Sequence, residues 1–194
     1  MFSIIRPAFS LLLLLTLIGG LIYPLIVTGV SQVVFPFEAN GSLVVKDGKV
    51  LGSQLIGQPF TDPAYFWSRS SATSPMPYNA QSSGGSNLGP SNPALIDGIK
   101  QRIEALKKAD PANTKTVPVD LVTSSASGLD PHISLAAAYY QVDRIAAARK
   151  LSPARVRLLV DQHRELPSAY IIGEPMVNVL MLNLALRDMK DLAS

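Results

Sequence analysis

Between Arg6 and Glu38 the chain carries no charged side chain, and from Ala8 to Val30 it is almost wholly Leu, Ile, Val, Phe and small residues. As a helix that run would extend roughly 34 Å, against a hydrocarbon core of about 30 Å, so it fits one membrane crossing. A cleavable signal peptide is the rival reading. Its apolar region would be only about 7 to 15 residues long and would follow a more basic start than Arg6 alone. The anchor is therefore the reading adopted. Arg6 and the α-amino group precede the span, whereas Glu38 and Asn40 follow it. The positive-inside rule then predicts a short cytoplasmic N-terminus (residues 1–7), a transmembrane helix (8–31) and an extracytoplasmic domain (37–194).

Within the span, Thr16, Gly20 and Tyr23 fall near one helical face, with Thr28 and Gly29 further along. Small residues let a neighbouring helix approach closely, and hydroxyls can bond across such a contact. Pro24 removes a helical donor and is expected to kink or weaken the helix. These six residues are the candidate helix-packing positions.

Of the 194 residues, 47% are hydrophobic and 16% charged, enough for one domain with a core beside the anchor. Cysteine is absent, which removes thiolate catalysis, Cys-based zinc sites and disulfides. The net charge of +3 is mild. The basic helix around Arg155, Arg157 and Arg164 interleaves acids and lacks aromatic platforms, so no nucleic-acid partner is expected.

The fold class expected is mixed α/β: one N-terminal transmembrane helix followed by a single α+β soluble domain. "SLVVKDGKVLGSQLIG" places two β-prone runs around Asp47-Gly48, a hairpin signal at about residues 42–57. Tyr65, Phe66 and Trp67 read as core or interface packing. Residues 68–93 form a long Ser/Gly/Asn/Pro loop without charge after Arg69, which reads as a loop clasped against something, with a plain linker as the alternative. Helices are predicted after Asn92-Pro93, Ser134, Ser152-Pro153 and Asn178, each of which can cap a first turn, although "VNVLML" after Met176 also reads as a strand. Their apolar stripes run through Leu95, Ile99, Ile103 and Leu106, then Leu135, Tyr139, Val142 and Ala146, then Val156, Leu159, Val160 and His163. "TVPVDLV" and "AYIIG" read as short strands.

Signals for chemistry are sparse. No Gly-Lys-Ser/Thr tripeptide completes a Walker A loop, and "GGSNLG" alone is a weak phosphate-binding signal. "SGLDPHIS" sets Ser127, Asp130 and His132 close together, but without a nucleophile elbow it reads as turn chemistry. His132 is expected to bond backbone groups. His132 and His163 lack metal-binding spacing. No catalytic residue, metal site or tightly bound cofactor is expected.

The blocks "YPLIVTGVSQVVFP", "ANGSL", "GSQLIGQPF", "YFWSR", "SGGSNLGPSNPAL", "DLVTSSASGLDPHIS", "QVDRIAAAR" and "GEPMVNVLMLNLAL" together resemble the KdpC family of the bacterial Kdp potassium-transporting ATPases, nearly end to end. Against that pattern no proline follows Arg69, Glu38 replaces a usual glutamine and Met176 a usual arginine.

The resemblance implies a single-pass subunit of the bacterial inner membrane, partnered by a potassium-channel-like subunit and a P-type ATPase subunit, needed for their assembly and activity. It also implies a catalytic chaperone that raises the ATP affinity of the ATPase subunit. In that role Gly84, Gly85, Ser86 and Asn87 would lend amides to a phosphate and Gln141 its side chain to a ribose, while Asp130 and His132 are candidate partner contacts. ATP is cytoplasmic, however, and the charge bias puts these residues outside. The alternative is an extracytoplasmic structural or binding domain at the potassium entrance that never touches ATP. A stand-alone hydrolase using Ser127 and His132, and a tethered solute-binding protein, are the remaining readings.

Overall fold

The computed structural model describes residues 2–167 and 173–191. They divide into two compact units, the first ending at Leu51 and the second beginning at Gly52.

The first unit is dominated by helix. α1 (Phe2–Leu17), a π-helical turn (Ile18–Ile22) and α2 (Tyr23–Val34) run on without a break, and α3 (Pro36–Ala39) adds one turn. The segment Ile4–Val34 is long and apolar enough to cross a membrane, and none of it is buried within the protein. At 1.5 Å per residue it is about 46 Å long, more than the roughly 30 Å of a hydrocarbon core, so a helix of this length would tilt or reach beyond the core in crossing one. Pro24 produces a widened turn where a kink was expected. The Tyr23 N–H reaches back five residues to the Ile18 carbonyl. That shift moves carbonyls out of the register in which the proline ring would strike one and leave it unbonded.

A two-stranded hairpin follows, β1 (Leu43–Lys46) and β2 (Lys49–Ser53). Asp47 and Gly48 both adopt positive φ, at 52° and 73°. That pair of left-handed residues is the type I′ turn whose twist matches the strands it joins.

In the second unit α4 (Pro93–Ala109), α6 (Leu135–Arg149), α7 (Pro153–Gln162) and α8 (Val179–Asp191) begin at the expected caps. The side-chain oxygens of Asn92, Ser134, Ser152 and Asn178 accept from the N–H groups of Ala94, Ala137, Arg155 and Met181. Each satisfies a donor that the first turn would otherwise leave unbonded. α6 is the centre of the core. It buries Ala137, Ala138, Tyr140, Gln141, Val142, Arg144, Ile145 and Ala146, far more than one apolar stripe, while Leu135 and Tyr139 are only partly buried. α7 adds Val156, Leu159 and Val160, and α8 adds Val179, Leu182 and Leu186.

A small antiparallel sheet, ordered β3-β5-β4, joins β3 (His132–Ser134), β4 (Arg164–Glu165) and β5 (Met176–Asn178). Ile133 pairs with Val177, and both turn into the core. Alternation then puts His132, Glu165 and Met176 on the other face.

Two sequence expectations require comment. "TVPVDLV" is not a strand: Val119–Val122 form the short helix α5. Its β-branched residues find no strand to pair with among the described residues, while Asp120 accepts from the Ser134 backbone N–H at 2.7 Å and faces its hydroxyl at 3.2 Å, which anchors the turn. "AYIIG" lies, apart from Gly173, outside the described residues.

Candidate functional site

The chain between β2 and α4 carries the loop candidates Gly84, Gly85, Ser86 and Asn87, and its first part is a strap across the core. Residues 63–67 run past α6 and α8 with no strand partner among the described residues, yet a backbone cannot be buried with its polar groups unbonded. Helical side chains supply the bonds. Arg144 donates to the carbonyls of Pro63 and Tyr65, at 2.5 and 3.1 Å, and Arg149 to that of Ala64 at 2.6 Å. The Asn183 amide bonds both the N–H and the carbonyl of Phe66 (2.9 and 3.0 Å), and the Gln141 amide does the same for Trp67 (2.8 and 3.1 Å).

Phe66 is thereby fully buried. Arg144 lies over the Trp67 ring and Arg149 over the Tyr65 ring, each 4.5 Å from the ring centre. Burial pulls the Arg144 guanidinium down to about 10, so it remains charged at neutral pH.

This geometry defines the place of Gln141. The residue is 1% exposed, its oxygen accepts from the Trp67 N–H and from Arg144, and its nitrogen donates to the carbonyls of Trp67 and Ala137. Every hydrogen-bonding position of the amide is used inside the fold. In sequence Gln141, Arg144, Arg149 and Asn183 are polar residues that fall among apolar ones on α6 and α8. That was the available signal for a buried polar network.

After Trp67 the long loop folds back on itself and on residues 124–128. Ser71 donates to the Gly128 carbonyl and accepts from the Tyr78 N–H, while Thr73 donates to Met76 and accepts from the Asn79 N–H. Gly84 N–H and the Ser83 hydroxyl both donate to the Ser127 carbonyl. Gly85 packs against Ala126 so tightly that an added Cβ would lie 2.8 Å from the Ala126 carbonyl oxygen. The loop is therefore clasped, as its lack of charge suggested. At its tip Ser86 and Asn87 are exposed, and Asn87 has φ 52°.

Beside the clasp lies an ionic chain. Arg69 Nη1 sits 3.1 Å from Asp130, His132 Nδ1 is 3.5 Å from Asp130 and its Nε2 3.2 Å from Glu165. His132 thus meets carboxylates with its ring, whereas backbone groups were expected. The hydrogen bond to Asp130 raises the His132 pKa, burial opposes this, and Glu165 adds to the rise. Glu165 is nearer the ring but half exposed, so water screens its charge more. Burial pushes the Asp130 carboxyl up, yet bonds from the His132 ring and N–H, with the Arg69 charge, leave it below its ordinary value.

Ser127 is not joined to His132 by any hydrogen bond among the described residues, and its hydroxyl accepts from the Leu129 N–H. Among the same residues no group of three acidic, His or Cys side chains is placed to hold a metal ion.

In the first unit Thr16 and Gly20 meet on a shallow groove lined by Phe9, Leu12, Leu13, Leu17 and Leu21. Tyr23, Pro24, Thr28 and Gly29 are not part of it.

A protein-family model described as K+-transporting ATPase, c chain, matches residues 5–188. The chain is 62% identical to the potassium-transporting ATPase KdpC subunit of Dechloromonas aromatica (strain RCB) over 184 residues, 95% of this chain and 96% of that protein. It is 60% identical to the subunit of the same name from Polaromonas naphthalenivorans (strain CJ2), over 97% and 96% of the two chains. The Ralstonia nicotianae (strain ATCC BAA-1114 / GMI1000) subunit is 58% identical over 97% and 92%. A match that takes in the apolar helix, the strap, the clasped loop and α8 alike makes this chain a member of the K+-transporting ATPase c-chain family.

Proposed function

We propose that this chain is a non-catalytic accessory subunit of an ATP-driven potassium pump, anchored in the bacterial inner membrane by Ile4–Val34, with a cytoplasmic N-terminus and its domain outside. The observation that carries this is the family match over residues 5–188. Its partners are then a potassium-channel-like subunit and a P-type ATPase subunit. The Thr16 and Gly20 groove is the proposed contact for a partner helix, because small residues admit close backbone approach. Co-purification from membranes tests this. The wild-type chain brings down two larger subunits, and Thr16→Leu with Gly20→Leu loses them; association that survives the double change removes the helix contact from the proposal.

Two readings of its action remain, differing in whether ATP is touched. In the chaperone reading the loop tip takes a phosphate and raises the ATP affinity of the ATPase subunit. Favouring it, the N–H groups of Gly85, Ser86 and Asn87 donate to no acceptor among the described residues, and Asn87 at positive φ resembles an anion-binding nest. Gln141 would have to release the Trp67 backbone to reach a ribose.

In the structural reading the domain steadies the pump from outside and affects ATP turnover only by biasing its conformations. The spent Gln141 amide favours this second reading, which we place first. Because the chain has no cysteine, Ser86→Cys gives a single label site on the exposed tip. Labelling of intact cells by a membrane-impermeant maleimide is expected. Labelling only after lysis reverses the orientation and makes direct ATP contact the leading mechanism.

A further inference from the structure

Between the strap, the start of the loop and α4 lies a cavity of about 250 Å³ that none of the preceding roles uses. Its wall is mostly apolar, with Phe60, Trp67, Leu106 and Leu121 among the lining residues, and its charged members are Arg69 and Arg102, with no acidic side chain.

The two arginines differ. Arg69 is matched to Asp130. Arg102 donates one bond, 2.8 Å to the Val122 carbonyl, and has no carboxylate within ion-pair distance among the described residues. Burial pulls its guanidinium below the ordinary range, as for a cation that has lost water and gained no counter-ion. In the same wall Arg69 Nε and Ser70 Oγ are buried without a hydrogen-bond partner among the described residues. Such groups are uncommon in a finished structure and cost free energy while unmatched.

An apolar chamber with a few converging donors and an uncompensated cation has the makeup of a small-molecule site, and its volume lies just below the usual lower end of about 300 Å³. We propose that this cavity binds a small organic monoanion, a carboxylate on a compact apolar or aromatic body, with the acid group on Arg102 and the body against Phe60, Trp67 and Leu121. The cavity is too small for a nucleoside triphosphate to be enclosed, which separates this site from the loop tip.

Trp67 is the chain's one tryptophan and lines the cavity, so its fluorescence reports occupancy directly. The full-length chain in detergent is titrated with phenylacetate and, separately, with its neutral analogue 2-phenylethanol. A saturable change with phenylacetate and none with the alcohol is expected. Arg102→Gln weakens it roughly tenfold or more, the worth of one charge-assisted hydrogen bond. Ala105→Phe, at an exposed position on the cavity's rim, abolishes it by filling the space while leaving both arginines in place. If Arg102→Gln does not fold, Arg102→Lys, which keeps the charge and is expected to retain weakened binding, stands beside Ala105→Phe as the test. An equal response to acid and alcohol, binding undiminished in Ala105→Phe, or no saturable response to phenylacetate overturns the proposal.

Discussion

Residues 63–67 and residues 71–85 are both irregular chain, a few positions apart, and both bury backbone polar groups that no sheet or helix satisfies. They solve the problem in opposite ways. The strap borrows its partners from far away: the Phe66 bonds to Asn183 span 117 positions and the Trp67 bonds to Gln141 span 74. The loop makes most of its bonds locally, as in Ser71 to Tyr78 and Thr73 to Met76, and needs residues 124–128 only as a backing.

A buried amide that bonds both groups of one residue is an all-or-none device, because its loss strands donor and acceptor together. A network of half-exposed hydroxyls degrades gradually, since water can replace each bond. The strap therefore belongs to the core, and the loop is a surface on which sites can be displayed.

The largest expected effect breaks the strap. Gln141→Leu or Asn183→Leu leaves a buried N–H and a buried carbonyl unpaired, costing about 4 kcal/mol at roughly 2 each. That is a large share of a total stability of about 5–15 kcal/mol. Denaturant unfolding of the chain in detergent checks it, and a loss below about 1 kcal/mol would show that water reaches the strap and that the two regions do not differ in kind.

Next comes Gly128→Ala, at the backing of the loop. Gly128 has φ 68°, and a Cβ there would lie 2.5 Å from Thr73 Cγ2 and 2.7 Å from the Gly84 carbonyl oxygen. Left-handed strain alone costs roughly 1–3 kcal/mol, and relief of the clash must push the loop outward. Faster proteolysis within residues 71–85, with the core retained, is the expected signature.

Ser71→Ala is smaller, about 1–2 kcal/mol, because it removes bonds to Gly128 and Tyr78 that water can partly replace. Amide hydrogen exchange is expected to rise at Tyr78 and remain unchanged at Phe66 and Trp67, which is the comparison in its sharpest form.

The smallest effect is on pH dependence. His132 has a raised pKa in the folded chain, so its contribution is complete below its ordinary value of 6.5 and is lost as pH rises through the higher folded value. Asp130 is shifted down, so its contribution holds above its ordinary value of 3.8 and fades as pH falls through the folded value. The pair therefore contributes most between those two pH values. A modest fall in Tm from about pH 5.5 to about pH 8.5 is expected, and it should flatten in His132→Gln.

Much of this architecture is legible in the order of residues, and the legible part has one physical character. The long apolar helix, the Asp47-Gly48 turn and the caps Asn92, Ser134, Ser152 and Asn178 all act within a few residues of where they stand. Their consequences are local and follow from residue type alone. The widened turn before Pro24 is half legible: the missing donor is plain, but not whether the helix bends or rewinds. α5 departs from the expected strand because β-branched residues favour a strand only when a partner strand exists, and Asp120 is held by Ser134 of a later segment.

The chain's order of residues determined its long apolar N-terminal span, where α4, α6, α7 and α8 start and which family it belongs to. Tertiary structure alone decided that Gln141 and Asn183 close over Phe66 and Trp67, that His132 meets Glu165 across β5, and that Arg102 faces a cavity without a carboxylate. Those outcomes depend on side chains brought together from distant positions, where the geometry of packing, and not the propensity of any one residue, selects the partner.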